Sequence, residues 1–131
     1  MASAHTQLMF SPGILDHFKN PRNTGALENA TTTVNVSNPV CGDVLRLAVR
    51  VENGNIIEAR FLCRGCTTSI ACASRLTELL NGAKVGELLK ITAEAVAGSF
   101  GELPPETIHG AHLAADAAHA LFAALKNVKP T

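Results

Sequence analysis

The sequence contains no tryptophan and no tyrosine, and its aromatic content is limited to five phenylalanines. Apolar residues still make up 47% of the chain. Many of them are alanines, which pack well but remove little surface from water individually. No excess of either charge is present: 11 Lys+Arg stand against 11 Asp+Glu. This balance lacks the basic footprint of a nucleic-acid-binding or membrane-surface domain. No apolar run reaches the roughly 18 residues of a spanning helix, and Met1 to Phe10 lack the charged and apolar regions of a secretion signal. A cytoplasmic protein is therefore expected. The chain also lacks internal repeats, low-complexity tracts and Pro/Gly-rich linkers. Its 131 residues are read as a single domain, with a core spanning about residues 11–127.

What the sequence does have is four cysteines, Cys41, Cys63, Cys66 and Cys72. Without a secretion signal, such a set points to metal or thiol chemistry before disulfides. Their placement follows from the local pattern. Ser11-Pro12 has the form of an N-cap followed by a first-turn proline, opening a helix through about Phe18. Asn20 to Gly25 breaks that helix. Thr31 to Ser37 is β-branched and reads as a strand. Asp43 to Glu52 alternates, with Leu45, Leu47, Val49 and Val51 on one face and Arg46 and Arg50 on the other. Asn53-Gly54 signals a hairpin, and the return strand is expected to place Ile57, Ala59, Phe61 and Cys63 toward the core. After Gly65 the period becomes helical over Thr67 to Asn81, with Gly82 positioned to end the helix. Short helices are expected near Val85 to Leu89 and Ala93 to Phe100. A long final helix is expected from about Glu106 to Lys126, with Leu113, Ala117, Leu121 and Ala124 as its buried stripe. Together these elements predict an α+β fold: a three-stranded antiparallel sheet with helices packed on one face.

The chemistry-bearing residues fall at element ends. Cys41-Gly42-Asp43 places a thiol and a carboxylate two residues apart in the loop before the second strand. Cys66 lies where strand gives way to helix, and free N–H groups there favour a thiolate. His109 begins the last helix. Cys41, Asp43, Cys66 and His109 together suit a tetrahedral zinc or iron site. Cys63 and Cys66 form a C-x-x-C pair, but its strand setting argues against a thioredoxin-type motif, so Cys63 is expected to pack. Cys72 falls on an apolar helical stripe and is also expected to pack. His112, Asp116 and His119 follow helical spacing, where a solvated face outweighs a second metal site.

In several separate stretches the chain resembles the iron–sulfur cluster scaffold proteins of the IscU/NifU N-terminal type. They are Asp16-His17-Phe18-Lys19-Asn20-Pro21-Arg22-Asn23-Thr24-Gly25, Asn38-Pro39-Val40-Cys41-Gly42-Asp43, and Gly65-Cys66 with Ser69-Ile70-Ala71 and Leu76-Thr77-Glu78. Glu102-Leu103-Pro104-Pro105 through Ile108-His109, and Leu113-Ala114-Ala115-Asp116-Ala117, complete the set. The interval from Cys66 to His109 is similar to the IscU branch; the SufU branch carries an insertion there.

The resemblance implies a scaffold or carrier, not an enzyme. A [2Fe–2S] cluster would be built on it with sulfur from a pyridoxal-phosphate cysteine desulfurase and passed to acceptor apoproteins. Cys41, Asp43, Cys66 and His109 match the family's ligand positions, where iron, the cluster or zinc would sit. Asp43, a hard and weak iron ligand, would ease release. Neither nucleic acid nor membrane is implied as a partner.

Two departures bear on this. Gly110 stands where the family has a third cysteine, credited with accepting sulfur and ligating the cluster. Glu106-Thr107 replaces the Val-Lys pair offered to a dedicated Hsp-type chaperone, which weighs against that partnership. Two alternatives follow: a zinc-dependent sulfur-transfer protein, and a degenerate zinc-binding paralogue acting as a regulatory or interaction partner.

Overall fold

The structure is a computed structural model that describes residues 12–38, 42–100 and 107–126. Helix α1 (Pro12–Lys19) begins at the proline, whose fixed φ suits a first helical turn. Three strands follow, β1 (Thr32–Asn38), β2 (Asp43–Glu52) and β3 (Asn55–Arg64), in the antiparallel order β1-β2-β3. Helix α2 (Thr67–Leu80) comes next, then a 3-10 helix (Val85–Lys90), α3 (Ala93–Gly98) and α4 (Thr107–Leu125). This is the expected α+β architecture, with α2 and α4 both packed on the sheet and on each other.

Alternation along β2 decides which face becomes the core. Leu45, Leu47 and Val49 are buried without residual exposure, while Val44 and Arg46 face solvent. Asn53 and Gly54 turn the hairpin with φ of 53° and 79°, the left-handed pair that a tight two-residue turn requires. One expectation fails just beyond it. Ile57 is 40% exposed and Ile56 is buried. The register shifts between Arg50 and Val51, pairing Arg50 with Glu58 but Val51 with Ile56. Ile57 is the extra residue of that bulge, so the inward parity changes there. A small correction applies to the last helix as well. Leu125 is buried where Ala124 is only half-buried, and Ala111, Ala114, Ala115 and Ala118 widen the inward face. Each buried methyl contributes only about 0.8 kcal/mol, so α4 gains from close approach more than from bulk.

The segment after α1 is fastened to α2 by a buried polar network absent from the sequence-based picture. Ser74 Oγ lies 2.8 Å from His17 Nδ1 and accepts the Arg22 backbone N–H at 2.8 Å. His17 Nε2 lies 3.1 Å from Glu78 Oε1, and Asn23 Nδ2 donates to Thr77 Oγ1 at 3.1 Å. These contacts fit a neutral imidazole that accepts from Ser74 and donates to Glu78. Burial favours this neutral form, and Arg22 and Arg75 add to it, outweighing Glu78 and Asp16, so the His17 pKa lies below its ordinary value.

Candidate metal centre

Two of the expected donors, Asp43 and Cys66, arise at the junction of β2, β3 and α2. The Gly42 N–H bonds to Asn38 O at 2.7 Å, and φ of 73° at Gly42 turns the chain into Asp43, the first residue of β2. Asp43 is 4% exposed, a costly place for a carboxylate unless its oxygens are engaged. They are. Oδ1 accepts the Cys66 N–H at 3.3 Å and Oδ2 accepts the Ser69 hydroxyl at 2.6 Å. Cys66 Sγ lies 3.8 Å from Oδ2. The approach depends on Gly65, where a Cβ would stand 2.6 Å from Asp43 Oδ1 and 2.8 Å from Cγ. Only glycine lets the β3–α2 junction come this close to the carboxylate.

Cys66 occupies the N-cap position of α2 in extended conformation, and it is exposed. Its sulfur lies 3.1 Å from Thr68 Oγ1 and 3.4 Å from Ser69 Oγ. Partial burial opposes the thiolate, but the surrounding hydroxyls outweigh it and the Cys66 pKa falls below its ordinary value. Ser69 has one hydroxyl proton, and the 2.6 Å bond to Asp43 holds it; Thr68 is the hydroxyl placed to donate to sulfur.

Asp43 and Cys66 are thus brought together, while the other expected donors stand differently. Cys41 lies outside the described residues, as do Pro39, Val40 and the Gly101–Glu106 stretch that holds Leu103-Pro104-Pro105. His109 is exposed on the first turn of α4. That turn is seated on the first turn of α2: a Cβ at Gly110 would lie 2.8 Å from Thr68 O and 3.0 Å from Ser69 N. Among the described residues, no three His, Cys, Asp or Glu side chains gather closely enough to hold one metal ion. The helical stripe His112, Asp116 and His119 is included in that result; His112 and Asp116 face solvent.

Cys63 and Cys72 differ from Cys66 in kind. Desolvation pushes both thiols up to about 12, with nearby acidic groups adding to it. Cys72 is fully buried in the core and Cys63 is half-buried against it, so neither is poised as a thiolate. Sequence reasoning missed Thr68 and Ser69. Their signal was two hydroxyl residues within three positions of a helix-capping cysteine, a spacing that turns both hydroxyls toward the cap.

Residues 9–129 match the family model described as NifU-like N terminal domain. The iron-sulfur cluster assembly scaffold protein IscU 1 of Archaeoglobus fulgidus is 43% identical over 109 residues, covering 83% of this chain and 71% of the relative. The iron-sulfur cluster assembly scaffold protein IscU of Escherichia coli K12 is 39% identical over 124 residues, covering 92% and 96%. A crystal structure from Fervidobacterium islandicum AW-1, of a protein described as a scaffold for the SUF system, superposes with a TM-score of 0.74. It is 21% identical, and the match covers 88% of this chain and 97% of that one, which establishes a shared fold. With the family model matching residues 9–129 and relatives about 40% identical over most of the chain, the chain belongs to the NifU-like N-terminal domain family.

Proposed function

We propose that the chain is a scaffold of iron–sulfur cluster assembly that carries iron or a transient [2Fe–2S] cluster on Cys41, Asp43, Cys66 and His109. The observation that carries this reading is the pairing of Cys66 with Asp43 at a helix N-terminus. A thiol and a carboxylate lie 3.8 Å apart there, and Thr68 and Ser69 hold both in place. The names of the two sequence relatives cited, both scaffold proteins, support the same role. In this reading the cluster is cargo. Cys66 and Cys41 are its thiolate ligands, His109 its imidazole ligand, and Asp43 the hard, weak ligand that eases release. Zinc, which accepts the same donors, is the alternative occupant.

A cysteine desulfurase would bring sulfur and acceptor apoproteins would take the finished cluster, in the cytoplasm, with no substrate turned over by this chain alone. Anaerobic reconstitution with iron, sulfide and a cysteine desulfurase tests this, read by visible absorption and Mössbauer spectra. A cluster that is lost in Cys66→Ala is expected. No cluster, or one indifferent to that substitution, overturns the reading.

Gly110 favours a second reading. Its position carries no thiol and is packed against the backbone of Thr68 and Ser69. A zinc-holding sulfur-transfer protein or regulatory paralogue would tolerate this. Stoichiometric zinc in the untreated protein, with no cluster after reconstitution, would select it.

A further inference from the structure

Cys63 and Cys72 stand outside the donor set, and one of them lies close to it. Cys63 ends the inward-facing row of β3 and pairs with Leu45. Asp43, two residues before Leu45 on β2, is therefore its diagonal neighbour on the helix-facing side of the sheet. Such neighbours stand roughly 7–8 Å apart, and somewhat closer at their Cβ atoms. Asp43 Oδ2 in turn lies 3.8 Å from Cys66 Sγ. The carboxylate thus neighbours both thiols. Desolvation pushes the Cys63 thiol up to about 12, and the charges of Asp43 and Cys66 add to it.

Only Arg64 and Gly65 separate the two cysteines, and the chain bends at Gly65 as it passes from β3 into α2. A bend there shortens the span toward the roughly 4.4–6.8 Å between Cα atoms that a disulfide bridges. Cys72 is placed differently. It follows Cys66 along α2 by a rise of about 9 Å, which exceeds that span, and it is fully buried.

This pairing bears on how sulfur leaves Cys66. Gly110 carries no thiol, and Cys66 is the exposed cysteine among the described residues. A persulfide on Cys66 carries sulfane sulfur, whereas a cluster takes sulfide, so two electrons must be supplied. We propose that Cys63 is the resolving thiol of Cys66, releasing persulfide sulfur as sulfide by closing a Cys63–Cys66 disulfide. The inference rests on the reading in which sulfur reaches this chain from a desulfurase. Cys63 Sγ attacks Cys66 Sγ, and the bond from Cys66 Sγ to the outer sulfur breaks. The electron pair leaves with the outer sulfur, which takes up the Cys63 proton and departs as hydrogen sulfide. The sulfane sulfur gains two electrons, and each cysteine gives one. A dithiol reductant returns the pair to thiols and itself ends as a disulfide. A protonated Cys63 is a slow nucleophile, but the attack is intramolecular and hydrosulfide leaves more readily than an alkyl thiolate.

The test treats the full chain, kept anaerobic with a chelator present, with stoichiometric glutathione persulfide, so neither a desulfurase nor a cluster is needed. The parent is expected to end lighter by two hydrogens. Trypsin without reductant should then leave residues 61–64, which hold Cys63, joined to residues 65–75, which hold Cys66 and Cys72. Cys72→Ser should keep that joint, which assigns it to Cys66. Chain that receives no persulfide should stay fully reduced. Cys63→Ser should instead carry one added sulfur on residues 65–75, persisting about tenfold longer or more than in the parent. If Cys63→Ser loses its far-UV circular dichroism, Cys63→Ala takes its place with the same expectation. Sulfur shed from the Cys63 variant as fast as from the parent overturns the proposal. So does a joint from residues 65–75 to residues 23–46, which hold Cys41. A chain that closes the Cys63–Cys66 bond but builds no cluster on reconstitution fails the scaffold reading alone.

Discussion

The two ends of helix α2 carry similar polar residues and put them to opposite uses. Toward its C-terminal end, Ser74, Thr77 and Glu78 meet His17, Arg22 and Asn23, and the buried hydrogen-bonding atoms of Ser74 and His17 all find partners. At its N-terminus, Thr68 and Ser69 meet Asp43 and Cys66, and the thiol stays exposed. With Ser74 and His17 satisfied at its centre, the C-terminal network holds two segments in register. The N-terminal cluster leaves the Cys66 thiol open to solvent beside the buried Asp43 carboxylate. Similar hydroxyls thus build a clasp at one end and, in the proposed reading, help form a binding site at the other.

Substitutions can break this contrast, and the largest effect should come from the sulfur itself. Cys66→Ala is expected to abolish cluster or zinc loading, measured by metal analysis and visible absorption. Its unfolding free energy should stay within about 0.5 kcal/mol of the parent, as for an exposed side chain. Ser74→Ala should do the reverse. It strips a partner from both His17 and the Arg22 N–H, and at about 1–3 kcal/mol for each buried group left unpaired it should visibly lower the denaturant midpoint, with loading retained.

Gly110→Cys lies between the two. Placing a thiol there forces a Cβ to within 2.8 Å of Thr68 O. An overpacking cost of about 1–3 kcal/mol is expected in chemical denaturation. An unchanged midpoint would show that the first turns of α4 and α2 separate easily.

The smallest effect is a slope. Because the folded-state pKa of His17 is depressed, its contribution to stability is fully present above the unfolded value of about 6.5. It is lost as the pH falls from there toward the folded pKa. His17→Gln should flatten that part of the stability–pH curve, by at most about 1.4 kcal/mol per pH unit.

Much of this was legible in the residues. Alternation at Leu45, Leu47 and Val49, the Asn53-Gly54 turn and the helical spacing after Gly65 are local signals, and local chemistry was enough to place the sheet and helices. The bulge at Ile57 was not legible, because the parity of a strand past a hairpin depends on how its partner pairs. Asp43 and Cys66 could be named from their neighbours, but not the hydroxyls that engage them.

The sequence by itself determined the α+β order, the family, and which residues carry thiol, carboxylate and imidazole chemistry, since spacing and residue type fix those. Only the tertiary structure decided that Asp43 is buried against the cap of α2, that Cys63 and Cys72 are more deeply buried than Cys66, and that Gly110 sits against a backbone. Each of these is a matter of which distant surfaces touch, and that contact sets the burial that pushes the Cys63 and Cys72 thiols up.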